Sequence, residues 1–498
     1  VVKTSQKRKL LIRASTVCTL AILAAASLSL AGCGGSSPST PTPANSADVH
    51  DTWTWVGGAN VIDQSGVYGT LGTAAPSNAP GARAQAVTWT DAAGNFWLFG
   101  GSGYDSIAAT NLFGGTTPPA ILSGTYLNDL WKYSNGQWTW MSGSNLADQP
   151  ATYGVLGTAA AGNIPPARQG AAGWTDSSQN LWLFGGESYP TGNRVIDLSA
   201  VNHLDDLWKY SAGQWTWMGG SNSGEQPGIY GTLGVSAPAN IPGGRFHAAS
   251  WTDPSGNFWL FGGDALDANG TSGFLNDLWK YSAGQWTWIA GSNIGLQPGV
   301  YGTQGASNAS NVPGGRGQSF TWTDASGTLW LFGGFGYDSQ GTQGYLNDLW
   351  KYSAGQWTWV AGSNLANQAA AYGTLGVGAP ANTPSARSSG TSWIDAAGSL
   401  WLFGGYVYQG YYFGDLWKYS GGQWTWISGA NTPDETQAYG ILKTPATANT
   451  PGARISTASW TDSSGNLWLL GGNTHDPNPT TRSLGILDYR NDLWKLQP

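Results

Sequence analysis

A chain of 498 residues carries 75 Gly and 30 Trp, only 10% charged residues, and a formal net charge of −7. The acidic balance excludes a nucleic acid or an anionic lipid surface held through basic side chains. Both cysteines, Cys18 and Cys33, fall near the start, so the rest of the chain has neither a disulfide nor a thiolate metal site.

Residues 1–32 read as a secretory signal. Lys3, Lys7, Arg8, Lys9 and Arg13 form a basic region, and Ala14–Leu30 is mostly apolar. The segment ends Leu30-Ala31-Gly32-Cys33, which resembles the lipobox of bacterial lipoproteins. That resemblance implies lipidation of Cys33 as the mature N-terminus. Gly34, where an inner-membrane signal would have Asp, implies export onward. The expected location is the outer membrane or surface of a bacterium, with the membrane reached through the lipid. Residues 33–50 are rich in Ser, Pro, Thr and Ala and read as a flexible tether. Losing the signal removes those five basic residues, leaving 16 basic against 28 acidic groups and a net charge of −12.

From residue 51 to 498 one unit recurs. Asn128-Asp-Leu-Trp-Lys-Tyr-Ser-Asn-Gly-Gln-Trp-Thr-Trp140 returns as Asp205–Trp217, Asn276–Trp288, Asn347–Trp359 and Gly414–Trp426, and shortened as Asn491–Pro498. Period-two alternation around Ser134-Asn135-Gly136 predicts two strands and a tight hairpin. Upstream, Arg83–Thr90 and Asn95–Phe99 predict two more, joined by Asp91-Ala92-Ala93-Gly94. Four antiparallel strands make one blade. The entry arginines are Arg83, Arg168, Arg245, Arg316, Arg387 and Arg454. From the last Trp of one unit to the next Arg is 28 residues each time, and Trp55 to Arg83 is also 28. Trp53-Thr54-Trp55 therefore supplies the fourth strand that the C-terminal unit lacks.

Small residues in the first strands and large aromatics in the later ones suit blades that crowd at an axis and diverge outward. The predicted fold is all-β: a six-bladed propeller closed by the N-terminal strand completing the last blade. The Gly-Gly pair, Asn-Asp-Leu-Trp-Lys-Tyr, the following Trp and the Pro-x-x-Arg entry resemble the kelch repeat across all six units. The resemblance implies a kelch β-propeller of the galactose oxidase central-domain type, a fold used mostly for binding and in a few cases for catalysis. The copper site of galactose oxidase uses two His, two Tyr and a Cys crosslinked to Tyr. Here the Cys is missing, and His50, His203, His247 and His475 share no blade. No cofactor, metal or catalytic residue is expected. Asp264, Asp267 and Asn269 form a weak oxygen cluster of the kind that touches Ca²⁺.

In such a blade the between-blade connections and the second-to-third-strand loops share one face. The connections repeat at fixed length around Tyr68, Tyr153, Tyr230, Tyr301, Tyr372 and Tyr439, as a structural element would. The other loops vary: from the second Gly to the third-strand Asp the separations are 28, 20, 14, 14, 10 and 20. Their candidate ligand-binding residues are Tyr104 and Asp105 in blade one, Tyr337 and Asp338 in blade four, and Tyr406, Tyr408, Tyr411 and Tyr412 in blade five. The six arginines are expected to pair with one Asp per blade, such as Asp129, Asp206 and Asp277, as a structural ring. The expected function is a monomeric, non-catalytic, lipid-anchored surface protein whose loop face binds a glycan or a protein. A carbohydrate-active enzyme of the epimerase or mutarotase kind, using arginines left unpaired, is the alternative. A purely architectural role is a third reading.

Overall fold

The computed structural model describes residues 51–107, 125–189, 201–475 and 488–498. The expected signal, lipid site Cys33 and tether lie outside these residues, as do residues 108–124 of the blade-one loop.

Among the described residues the strands form six antiparallel blades in chain order, blade two being split into a four-stranded sheet and a separate two-stranded pair. The inner strands touch in a closed cycle: Val87–Thr90, Ala172–Thr175, Ala249–Thr252, Phe320–Thr323, Thr391–Ile394, Ala458–Thr461 and back to the first. The last blade takes its outer strand from the other end of the chain. Thr52–Gly57 pairs antiparallel with Asp488–Gln497, with Trp55 opposite Trp494. The two termini thus close the ring by main-chain hydrogen bonds.

Each predicted first strand is broken. Arg83–Ala84 and Val87–Thr90 are separate strands, with Gln85 between them at φ 58°. The same left-handed position is held by Gly170, His247, Gln318, Ser389 and Ser456. The break has a cause. Gln85 N donates to Ser456 O, Gly170 N to Gln85 O, His247 N to Gly170 O, Gln318 N to His247 O, Ser389 N to Gln318 O and Ser456 N to Ser389 O, at 2.6–3.1 Å. Turning the amide out of its own sheet lets six blades share one hydrogen-bonded ring around the axis.

A second cycle lies further out. The inner-strand indoles donate to the next blade, Trp89 to Trp182 O, Trp174 to Trp259 O, Trp251 to Trp330 O, Trp322 to Trp401 O, Trp393 to Trp468 O and Trp460 to Trp97 O, at 2.9–3.2 Å. Ring stacking fills the wedge between blades, as where Phe96 meets Trp460 at 5.3 Å and 15°. The outer edges are covered too. Each connection folds over the outer strand of the blade that follows it, Gly72 N and Asn78 Nδ2 donating to Trp140 O and Trp138 O. No outer strand among them is left as a bare edge.

Blade two is the irregular one. Its second and third strands are interrupted, as Leu181–Phe184 with Glu187–Ser188 and Asn202–His203 with Leu207–Ser211. In the other five blades both strands run through, for instance Leu329–Tyr337 and Gln343–Ser353.

Candidate functional site

Halfway up each blade sits one repeated polar node. The entry arginine grips the third-strand aspartate with both terminal nitrogens: Arg83–Asp129, Arg168–Asp206, Arg245–Asp277, Arg316–Asp348, Arg387–Asp415 and Arg454–Asp492, at 2.6–2.9 Å. The connection's tyrosine donates its hydroxyl to the same carboxylate, from Tyr68, Tyr153, Tyr230, Tyr301, Tyr372 and Tyr439, at 2.6–2.9 Å. The tryptophan two residues after the aspartate adds its indole N–H, as Trp131 does to Asp129 at 2.7 Å. Burial opposes ionisation of Asp492, yet Arg454 beside it holds the carboxyl below the ordinary range. Burial and the carboxylate push the Tyr68 and Tyr301 hydroxyls well up. All six guanidiniums are consumed here, so none is presented to a ligand.

The Gly-Gly pair serves this node. Arg83 Nη1 donates to Gly100 O at 3.0 Å, and Gly101 N donates to Arg168 O of the next blade at 2.9 Å. A Cβ on Gly101 would lie 2.5 Å from Ala84 O, so the close approach requires glycine.

Above the node, toward the loops, the repetition ends. Third-strand residues Tyr126, His203, Phe274, Tyr345, Tyr412 and Tyr489 each stand three positions before the node aspartate. Opposite them on the second strand are Ser102, Glu187, Asp264, Phe335, Tyr406 and Asn473. Every third-strand ring meets a ring of the following blade. The pairs are Tyr126–Tyr189 at 4.8 Å, His203–Phe246 at 5.1 Å, Phe274–Phe335 at 5.6 Å, Tyr345–Tyr406 at 5.5 Å, Tyr412–His475 at 3.6 Å and Tyr489–Tyr104 at 6.2 Å.

Between blades three and six these contacts join into one band, because Phe335 also meets Tyr345 at 4.9 Å and Tyr406 meets Tyr412 at 5.5 Å. Phe274, Phe335, Tyr345 and Tyr406 are half-buried. On the side of blades six and one the collar is closed over: Tyr489 is 1% and Tyr126 3% exposed. Burial, and the neighbouring Tyr406, push the Tyr345 hydroxyl up.

Polar groups adjoin the band. Gln85, His247 and Gln318 project from the axial ring. His247 Nε2 donates to Gln85 Oε1 at 3.0 Å and Nδ1 accepts from Gln318 Nε2 at 3.2 Å, which assigns the neutral Nε2–H tautomer. Burial, and to a lesser degree His203, pushes His247 down to about 4. Asp264 is raised by burial, offset in part by His203 and Ser272. His203 is itself bound to Glu225, Nδ1 to Oε1 at 2.8 Å.

The loop residues singled out in the sequence separate into two groups. Tyr104, Asp105, Asp338 and Tyr412 are buried, at 6%, 6%, 3% and 3% exposure, and present no surface to a ligand. The two carboxylates hold backbone instead: Asp105 accepts from Ile107 N and Ala147 N, and Asp338 from Gln340 N, Thr342 N and Ala366 N. Asp267 does the same with Asn269 N and Thr271 N, so the oxygen cluster near Asp264 serves a turn. Tyr337, Tyr406 and Tyr411 are half-buried and Tyr408 is exposed. Of these third-strand rings only Tyr412 is among the loop residues that the sequence singles out, since counting each loop from its Gly-Gly pair hides the others. Measured back from the aspartate, a ring three residues upstream recurs in all six units.

Six radial blades with paired termini, a Gly-Gly pair at each second strand and a buried Arg–Asp node decide the architecture. The fold is a kelch-type six-bladed β-propeller. No protein-family model matches the chain, and no curated protein matches its sequence. Among solved structures it is similar to YjhT, at 12% identity and TM-score 0.45 over 83% of this chain and 95% of that one. It is also similar to a protein of unknown function from Dyadobacter fermentans, at 9% identity and TM-score 0.47, over 90% and 98%. A third is a fungal alcohol oxidase of the AA5 family in complex with copper, at 12% identity and TM-score 0.41, over 86% and 77%. At such identities the likeness concerns the fold alone, and no residue role passes from them to this propeller.

Proposed function

We propose that this propeller is a non-catalytic carbohydrate-binding protein, carried at the bacterial surface by a lipid on Cys33, with its ligand seated on the loop face of blades three to five. One observation carries the reading: in a chain that repeats almost everything six times, the half-buried rings Phe274, Phe335, Tyr345 and Tyr406 form a continuous band beside amide and carboxylate groups. Sugar rings combine apolar faces with hydroxyl edges, and they match rigid aromatic faces flanked by such polar groups. An enzyme built on axial arginines has no residues to use, since each arginine is held by its own aspartate.

The test is a glycan array and calorimetry on residues 51–498, native and Tyr345→Ala/Tyr406→Ala. Binding to a glycan class that drops at least tenfold in the double variant supports the reading. A protein ligand recovered with no glycan binding, or glycan binding that ignores both tyrosines, overturns it.

A further inference from the structure

The residue before the node aspartate is Asn128, Asn276, Asn347 and Asn491 in blades one, three, four and six, and Gly414 in blade five. Blade two has Asp205. The asparagines each work twice. Oδ1 accepts the N–H of Ser144, Ser292, Ser363 or Ala59 at 3.0–3.1 Å. Nδ2 donates to the carbonyl of Pro165, Pro313, Pro384 or Pro80 at 3.2–3.3 Å. Each of those prolines lies three residues before the next blade's arginine, where blade three has Pro242.

Asp205 keeps the first bond, accepting from Ser221 N at 3.0 Å. By sequence register Asp205 offers a second carboxylate oxygen where the asparagines offer Nδ2, and Pro242 occupies the position of the prolines that accept from them. A carboxylate and a carbonyl are both acceptors, so that place cannot be filled as the asparagines fill it unless the carboxyl carries a proton. Asp205 is 3% exposed. Asp206 adjoins it on its own strand, and Tyr153 faces it from the preceding connection. Tyr281 and Gln226 share with it a groove of about 470 Å³ between blades two and three. The following connection brings Glu225, already bound to His203, and Tyr230, bound to Asp277. Both flanking arginines are spoken for, Arg168 by Asp206 and Arg245 by Asp277. Burial, with Asp206 adding, pushes Asp205 up to about 7. The backbone is disturbed at the same place: among the described residues only blade two has an interrupted third strand, and the gap from His203 to Leu207 brackets Asp205.

We propose that Asp205 is a proton latch: protonated on Oδ2, it donates to the Pro242 carbonyl and seals blade two to the connection that leads into blade three. Ionised, it sets two acceptors against each other and loosens that seam. The sign follows from linkage. The fold keeps a proton that the unfolded chain releases near pH 3.8, so this stabilisation is full below that pH, declines as pH rises toward about 7, and is gone above it. Because His203 and its Glu225 clamp adjoin the same seam, the latch ties the rim of blade two to pH.

Melting the purified protein and its Asp205→Asn variant from pH 4 to 9 tests this. The variant should gain over the native protein as pH rises, levelling above about 7, while Asn276→Asp should install a second pH-dependent loss in blade three. The Asp205 carboxyl ¹³C resonance should titrate near 7 and not near 4. Parallel pH profiles for native and Asp205→Asn, or a carboxyl ionised below about pH 5, overturn the proposal. The resonance decides the matter even if a variant fails to fold.

Discussion

The middle and the rim of this propeller obey different rules. At mid-height six Arg–Asp–Tyr–Trp nodes are alike to within a few tenths of an ångström. A few ångströms nearer the loops, the second-strand position reads Ser102, Glu187, Asp264, Phe335, Tyr406 and Asn473, with no two alike. A buried ion pair must repeat because each blade faces the same cost: a guanidinium out of water needs all its partners. The rim repeats only what it needs for closure, one ring per blade meeting a ring of the next. The rest of its chemistry varies from blade to blade, and the proposed ligand site falls in that variable layer.

Breaking the closure should cost most. Deleting Thr52–Gly57 removes the whole outer strand of the last blade and bares Asp488–Gln497 as an edge. The expected outcome is loss of the cooperative thermal transition, read by calorimetry. Next comes the node. Asp348→Ala leaves Arg316 buried without its carboxylate, and Tyr301 and Trp350 without their acceptor. Chemical denaturation should register about 3–5 kcal/mol, and the equivalent Asp277→Ala a similar loss.

Acid should act through the axial ring. His247 is held neutral, its folded value near 4 against 6.5 in the free side chain. The unfolded chain binds a proton that the fold refuses, so stability should fall as pH drops from about 6.5 toward 4, by roughly 1–3 kcal/mol. His247→Gln should remove that part of the acid limb. The rim should matter least to stability. Tyr408→Ala, at an exposed side chain, should shift unfolding by no more than about 0.5 kcal/mol.

Much of the middle was legible in the sequence because spacing alone exposes it. The constant 28 residues from Trp to Arg fixed the number of blades, and Trp53-Thr54-Trp55 completed the last one. The axial ring was not legible. Gln85, His247, Gln318, Ser389 and Ser456 carry no left-handed signature, and only Gly170 hints at one. Their conformation is imposed by the neighbouring blade's carbonyl, a contact far away in sequence. The loop residues misled for a related reason. Asp105 and Asp338 look like exposed loop acids, yet each accepts N–H groups from its own turn and from the following connection, which buries it. The turn half of that motif is visible in Asp338 to Thr342 and Asp267 to Thr271; the half reaching to Ala366 or Gly295 is not.

The central claim is that binding and stability live in separate layers of the same blades. It is tested most directly by measuring both on one variant, Tyr345→Ala/Tyr406→Ala, with melting temperature and glycan affinity taken side by side against Asp348→Ala. A double rim variant that keeps nearly the native melting temperature and loses its ligand, beside a node variant that melts far lower, is the predicted result. Collapse of the fold in the rim variant, or undiminished binding by it, would contradict the account.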